Sequence, residues 1–334
     1  MDKVDFAPRV PDLSMTVLRP RMSDMPQTAE LAAPRQVARL AVGHYLDTAE
    51  ILTQCLKVDL GAGVVFLSIS RMNWLRLLQD QELALRYAGL HQIPPDDIRD
   101  PVSVYRLARE LSLPYETVRR NVNVLVKLGH CARSDSGGVI VTQQFMTSDL
   151  AIEMGDRTLV LATKLVADLA RCGISVPAAI ALPGDIRNHV GRLSIRHFLG
   201  LAELMASQLQ LDLMSGLVML AIISANTKAI RENEALAANY SSMENIPPDA
   251  VREPVSVYTL AKRLSLPYET TRRYVLGLIE KGLCVRLASG GIVVPNHAQG
   301  APGFLVALQA HNVATLDFVN ELAAVGLSAE LFAG

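Results

Sequence analysis

The sequence predicts a mostly helical protein with small β-hairpins, in which one folding unit is used twice and the two copies pair within a single chain. Three observations carry this expectation. The stretch Ile93 to Val141 recurs as Ile246 to Val294, an offset of 153 residues with no gap. Within each copy apolar residues fall at three- and four-residue spacing, the period of a helix with one buried face. Each copy then ends in two short strand-like runs, Cys-Ala-Arg and Val-Ile-Val in the first, around a turn with a Gly-Gly pair, the pattern of a hairpin.

In the first copy Ser103 suits the N-cap of a short helix, because its hydroxyl can accept from an unpaired first-turn N–H. Val104, Leu107, Ala108 and Leu111 form that helix's apolar face. A Leu-Ser-Leu-Pro turn follows. Pro114 fits the first turn of a second helix, where its missing N–H would be unpaired in any case. There Val118, Val122, Leu125 and Leu128 are expected to face inward. Tyr115, Glu116, Thr117, Arg119 and Arg120 are left on the outer or flanking surface. Gly129 ends the helix, and Cys-Ala-Arg and Val-Ile-Val form strands on either side of a Ser-Asp-Ser-Gly-Gly turn.

The repeat extends beyond this motif. Upstream, Arg39, Leu40, His44, Leu46, Ala49 and Glu50 match Arg192, Leu193, His197, Leu199, Ala202 and Glu203. Asp59, Leu60, Gly63, Val65 and Asn73 match Asp212, Leu213, Gly216, Val218 and Asn226, on a helix expected to continue through Leu83 and Ala84. Downstream, a closing helix over 156–171 has Val166 and Leu169 matched by Val319 and Leu322. The expected organisation is a flexible N-terminal arm (1–34), a first repeat (35–176, hairpin-bearing motif 102–142), a linker (177–187) and a second repeat (188–330, motif 255–295). A repeat of this length governs the whole fold.

The run VYRLARELSLPYETVRRNVNVLVKLG with its glycine-tipped hairpin resembles the winged helix-turn-helix of bacterial transcription regulators of the MarR, IclR and GntR kind. The resemblance covers about fifty residues in each half. It implies a second helix that enters the DNA major groove and a wing that touches the backbone. MarR-type regulators dimerise through helices flanking the winged motif, so two tandem units flanked by packing helices imply a pseudo-twofold dimer made in one chain. Gly63 and Gly216 suit either close helix approach or a bend.

On this reading Arg119 with Glu116 is the base-reading pair, since Arg bonds guanine O6 and N7 and Glu accepts from cytosine N4. Arg120 contacts base or phosphate. Tyr115 belongs to the same surface. Ser103, Thr117, Arg133 and Ser136 are expected to touch the backbone, which positions a protein without reading sequence. The second set is Ser256, Tyr268, Glu269, Thr270, Arg272, Arg273, Arg286 and Ser289. The opposing expectation is that these charges are solvated and paired with one another. From Val102 to Arg133 there are six cations and two anions, and the second copy has the same balance through Lys262, Arg263, Arg272, Arg273, Lys281 and Arg286 against Glu269 and Glu280.

The remaining chemistry is sparse. His44 and His197 share one position, expected to be a core or interface histidine rather than a metal ligand, because no companion ligand spacing supports a metal. Cys131 and Cys284 share a strand position and read as buried small residues. No phosphate loop, HExxH motif or nucleophile elbow is present. No enzyme, cofactor or metal is therefore expected.

Half of the 334 residues are apolar, ample for a core, and the mean hydropathy is +0.25. The longest uncharged apolar runs, Leu60–Ser70 and Leu213–Thr227, fall short of the ~20 residues a spanning helix requires. The N-terminus lacks a signal-peptide core, and four cysteines without CxxC spacing suit a reducing cytoplasm. The expectation is a cytoplasmic, nucleoid-associated regulator that binds double-stranded DNA and no membrane. Duplication within the chain removes the need for a homo-oligomer without forbidding one. A net charge of -1 keeps open a winged-helix module that docks proteins. The apolar helices leave room for a small-molecule effector.

Overall fold

The computed structural model describes residues 33–95, 98–135, 137–179 and 184–327. Most of the expected arm, Ser136 and the linker around Ala181 lie outside them.

The architecture is mostly helical, with two two-stranded antiparallel sheets among the described residues. In the first half a long helix α1 (Pro34–Leu56) is followed by α2 (Leu60–Asn73), short helices α3 (Leu75–Gln79) and α4 (Gln81–Arg86), and the pair α5 (Val104–Leu111) and α6 (Tyr115–Lys127). Strands β1 (Cys131–Arg133) and β2 (Val139–Val141), a short α7 (Gln143–Met146) and a long α8 (Asp149–Arg171) complete it. The second half repeats the order as α9 (Arg187–Leu209), α10 (Leu213–Asn226), α11 (Lys228–Arg231), α12 (Glu234–Asn239), α13 (Val257–Arg263), α14 (Tyr268–Glu280), β3 (Val285–Arg286), β4 (Ile292–Val293), α15 (Asn296–Gln299) and α16 (Pro302–Ala324). The bounds of α1, α2, α6 and α8 recur 153 residues later in α9, α10, α14 and α16.

Local chemistry sets the boundaries. Asp59 caps α2 by accepting from Ala62 N at 2.8 Å, and Asp212 caps α10 through Ser215 N at 3.0 Å. The helix expected to run through Ala84 instead stops at Asn73. Trp74 leaves helical geometry, and Asp80 starts a new helix by accepting from Leu83 N at 3.0 Å. Asn233 does the same for α12. The closing helix begins at Asp149, earlier than expected, because Ser148 accepts from Ala151 N. Pro114 sits at the N-cap of α6 rather than inside its first turn. Val118, Val122 and Leu125 are buried as expected, but Leu128 is 46% exposed, because the helix has ended one residue before it.

The tip glycines have separate duties. Gly137 adopts φ +80°, which an L side chain rarely tolerates, whereas Gly138 is needed for space: a Cβ there would lie 2.6 Å from Pro101 Cβ. Val102 adds a third edge to the hairpin by exchanging main-chain hydrogen bonds with Val139. Asn73, fully buried at the end of α2, occupies the other side. Its Nδ2 donates to Asp100 O (2.8 Å) and Val139 O (3.2 Å), and its Oδ1 accepts from Val141 N (2.8 Å). Asn226 repeats the set on Glu253 O, Ile292 O and Val294 N. One side chain in each half therefore ties the helical core to the hairpin.

Contacts between the halves are exchanged at matching positions. Arg39 donates to Ala237 O and Tyr240 O, and Arg192 donates to Ala84 O and Tyr87 O. Helix α1 packs on α16 and α9 packs on α8. His44 lies 6.0 Å from His197, its counterpart, ring centroid to centroid, and His197 stacks on Tyr45 and Phe318. Burial holds the His44 and His311 imidazoles down to about 4 and His197 well below its ordinary range. One hydrophobic cluster runs through both halves, from Leu52, Phe66 and Val118 to Met205, Val218 and Val275. The described residues form a single compact unit.

Gly216 acts in close approach, because a Cβ there would meet Met205 Cγ at 2.8 Å, whereas one on Gly63 would reach Leu52 Cβ at 3.4 Å, an ordinary contact. Among the described residues no single helix is long and apolar enough to cross a membrane. The pairs α1–α2 and α9–α10 have that composition only together, and they bend by 93° and 89°.

Candidate nucleic-acid interface

The side chains singled out on α6 and α14 lie within the first two turns of each helix. Ser103 caps α5 by accepting from Arg106 N at 3.2 Å, and Ser256 caps α13 through Thr259 N at 3.0 Å. Both serines stay exposed. A left-handed turn follows, with Ser112 at φ 52° and Ser265 at φ 50°. It swings the chain into α6 and α14, so that Tyr115, Glu116 and Thr117 stand outward on the first turn. In α14, Tyr268 and Glu269 are exposed and Thr270 is half-buried.

The arginines are engaged in both halves. Arg119 grips Glu116 in a two-pronged pair, Nε to Oε2 at 2.8 Å and Nη2 to Oε1 at 2.7 Å, and Arg120 Nε donates to Oε1 at 3.2 Å. Arg272 holds Glu269 in the same way, at 2.7 to 3.1 Å. The hydrogen bond from Arg119 holds the Glu116 carboxyl down to about 2, and that from Arg272 lowers Glu269. The mutual pairing weighed against DNA contact is thus present in this structure. Exposed pairs of this kind are weak in water, so they do not lock either arginine in place.

On the hairpins, Arg133 donates to Asn123 Oδ1 at 3.1 Å, which holds it over the outer face of α6. Arg286 is exposed and reaches Gly290 O at 3.5 Å. Arg273 and Ser289 are exposed. Not every cation of these motifs faces outward. Arg263 ion-pairs with Asp47 and Glu50 of α1, and Lys281 donates to Gln210 O, so both help hold the motif to the core. The position matching Arg263 is Glu110, which pairs with Arg71 of α2.

Two residues on this surface were not singled out from the sequence. Tyr105 is 65% exposed and Tyr258 is 70% exposed, on the first turns of α5 and α13. The sequence does carry their signal: a tyrosine off the apolar face of an amphipathic helix, at the same place in both copies.

Other chemistry is weak here. No group of three or more His, Cys, Asp or Glu among the described residues is placed to hold a metal. Burial pushes the Cys131 and Cys284 thiols up to about 12, far from a reactive thiolate. No protein-family model, curated protein or solved structure matches this chain.

Proposed function

We propose that the protein is a sequence-specific, double-stranded DNA-binding transcription regulator that carries two winged helix-turn-helix units in pseudo-twofold arrangement. The observation that carries this reading is the pair of like outward surfaces. Tyr115, Glu116, Thr117, Arg119 and Arg120 on α6 recur as Tyr268, Glu269, Thr270, Arg272 and Arg273 on α14, each beside a hairpin arginine. The exchanged contacts of Arg39 near α12 and Arg192 near α4 support the pseudo-twofold, because reciprocity of that kind is what an isologous interface requires.

In this reading α6 and α14 enter successive major grooves. Arg119 and Arg272 leave their glutamates for guanine, and Arg133 and Arg286 neutralise phosphate, which makes affinity fall with salt. Like side chains at the reading ends select like bases. Differences further along, Asn121 against Tyr274 and Lys127 against Glu280, let the half-sites diverge at an edge. Half-site centres fall about 10 base pairs apart, or a multiple of that.

Selection from random DNA tests the reading. An inverted repeat of one core is expected. A direct repeat would overturn the pseudo-twofold, and a single core would leave one reading unit. No enriched sequence, with no salt-dependent binding, would favour a protein-docking module, to which the net charge of -1 is better suited.

A further inference from the structure

Two cavities occupy matching places in the two halves. One opens among α1, α2, α7, α8 and α9, with about 1030 Å³ of space counting its mouth. The other opens among α9, α10, α15, α16 and α1, with about 690 Å³. Their walls correspond position by position: Arg192 stands where Arg39 does, Phe66 where Met219 does, and Pro94 where Pro247 does. Both halves of the chain build each cavity.

The duplication has diverged at the polar positions. Met146 and Thr158 in the first cavity are Gln299 and His311 in the second, and Asn188 is Arg35. Gln299 and His311 are 4% and 6% exposed, and the Nε2 of each has no hydrogen-bond partner among the described residues. An unpartnered buried amide is costly, so it points to an absent acceptor. Arg35 and Arg39 are also buried. Their hydrogen bonds go to main-chain carbonyls, Met243 O for the first and Ala237 O and Tyr240 O for the second. No carboxylate is in ion-pair contact with either among the described residues. The second cavity thus sets two guanidiniums without an ion-pair partner and two unpartnered nitrogens against an apolar wall that includes Val42, Ile223 and Phe304. The first cavity differs. Its Arg187 is met by Asp185 and Asp156, and among the described residues its one fully buried lining group without a hydrogen-bond partner is the Ser194 hydroxyl.

We propose that the cavity of the second half binds a small organic anion, a monocarboxylate with an apolar body, at one site per chain, and that its counterpart in the first half does not. The carboxylate supplies the acceptor that Gln299 lacks and an ion-pair contact for Arg35 and Arg39, and the apolar body covers Ile223 and Phe304. Thr227 lines the same cavity, next to the Asn226 that ties α10 to β4. Occupancy therefore bears on how the second hairpin is held. That consequence rests on the DNA-binding reading; the binding itself does not.

Calorimetric titration of the full chain with octanoate and benzoate tests the site, with octanol and benzyl alcohol as uncharged counterparts. Trp74, the single tryptophan, lines the first cavity and reports on that one alone. One site per chain is expected, with the acid bound about tenfold or more tighter than its alcohol and Trp74 emission unchanged. Combining Gln299→Met with His311→Thr gives the second cavity the residues of the first at these two positions and should remove most of the preference for the acid. Absence of binding by both acids, equal affinity for acid and alcohol, two sites per chain, or a Trp74 response would each overturn the proposal. If the double variant does not fold, stoichiometry and Trp74 emission of the native chain still decide. A chain that binds the acids but no DNA would remove the regulator reading and leave this one standing, and the reverse outcome would do the opposite.

Discussion

Replacing Asn73 by Leu removes three hydrogen bonds while keeping the number and branching of side-chain heavy atoms, so the effect falls mainly on the link between α2 and the first hairpin. Val139 O keeps a partner, because Val102 N also donates to it at 3.1 Å. Val141 N, which is buried, and Asp100 O, which is partly so, lose the side-chain partner the structure gives them. Stranding a buried main-chain group costs about 1–3 kcal/mol, so with Asp100 O partly reached by water the expected loss is about 2–4 kcal/mol. The same substitution at Asn226 strands Val294 N and Glu253 O, while Ile292 O keeps Val255 N, so the two losses should be similar. Urea unfolding followed by far-UV circular dichroism measures the total. Hydrogen exchange localises it, because the Val141 amide should lose protection in Asn73→Leu before the amides of α1 do. A loss below about 1 kcal/mol in both variants, or unchanged protection at Val141, would refute the idea that these asparagines hold the hairpins.

Three further outcomes are expected. Arg119→Ala combined with Arg272→Ala should weaken specific DNA binding by about 1–3 kcal/mol for each base pair no longer gripped, whereas Arg133→Ala with Arg286→Ala should weaken binding to all sequences and flatten the salt slope by about one unit per phosphate; titrations at several salt concentrations separate the two. Cutting the chain near Ala181 should leave the halves associated on size-exclusion chromatography, and adding Arg39→Met with Arg192→Met should weaken that association, because buried charge-assisted bonds are worth about 1.5–3 kcal/mol each. Stability should fall below about pH 6.5, the ordinary histidine value: His44 and His311 titrate near 4 when folded, so the unfolded chain binds the extra protons between these values. Each should cost about 2 kcal/mol at pH 5, with no effect above about pH 7, and thermal melts of His44→Gln with His311→Gln should show a flatter acid limb.

Short-range chemistry accounts for the helical class, the duplication and the local order of helix, turn, helix and hairpin, and all of these are legible in the chain alone. Side-chain periodicity, serine and aspartate caps, a proline after the turn and glycines at the hairpin tip are enough. The outward set on α6 and α14 is legible for the same reason, since positions off an apolar face follow from spacing. Longer-range packing settles what spacing leaves open. Leu128 keeps the period of the buried positions, yet the helix stops at Lys127 and leaves it exposed. Spacing likewise does not tell which cations face out: Arg263 sits among the outward charges in sequence, but Asp47 and Glu50 of the other half draw it inward. The matched asparagines are visible as a pair in sequence, but a buried amide has no function until its three main-chain partners, up to 68 residues away, surround it. As the first cavity depends on α9 meeting α8, the second, with the polar groups inside it, depends on α1 meeting α16 across the chain. That meeting joins residues such as Pro34 and Asn312, which no local rule brings together.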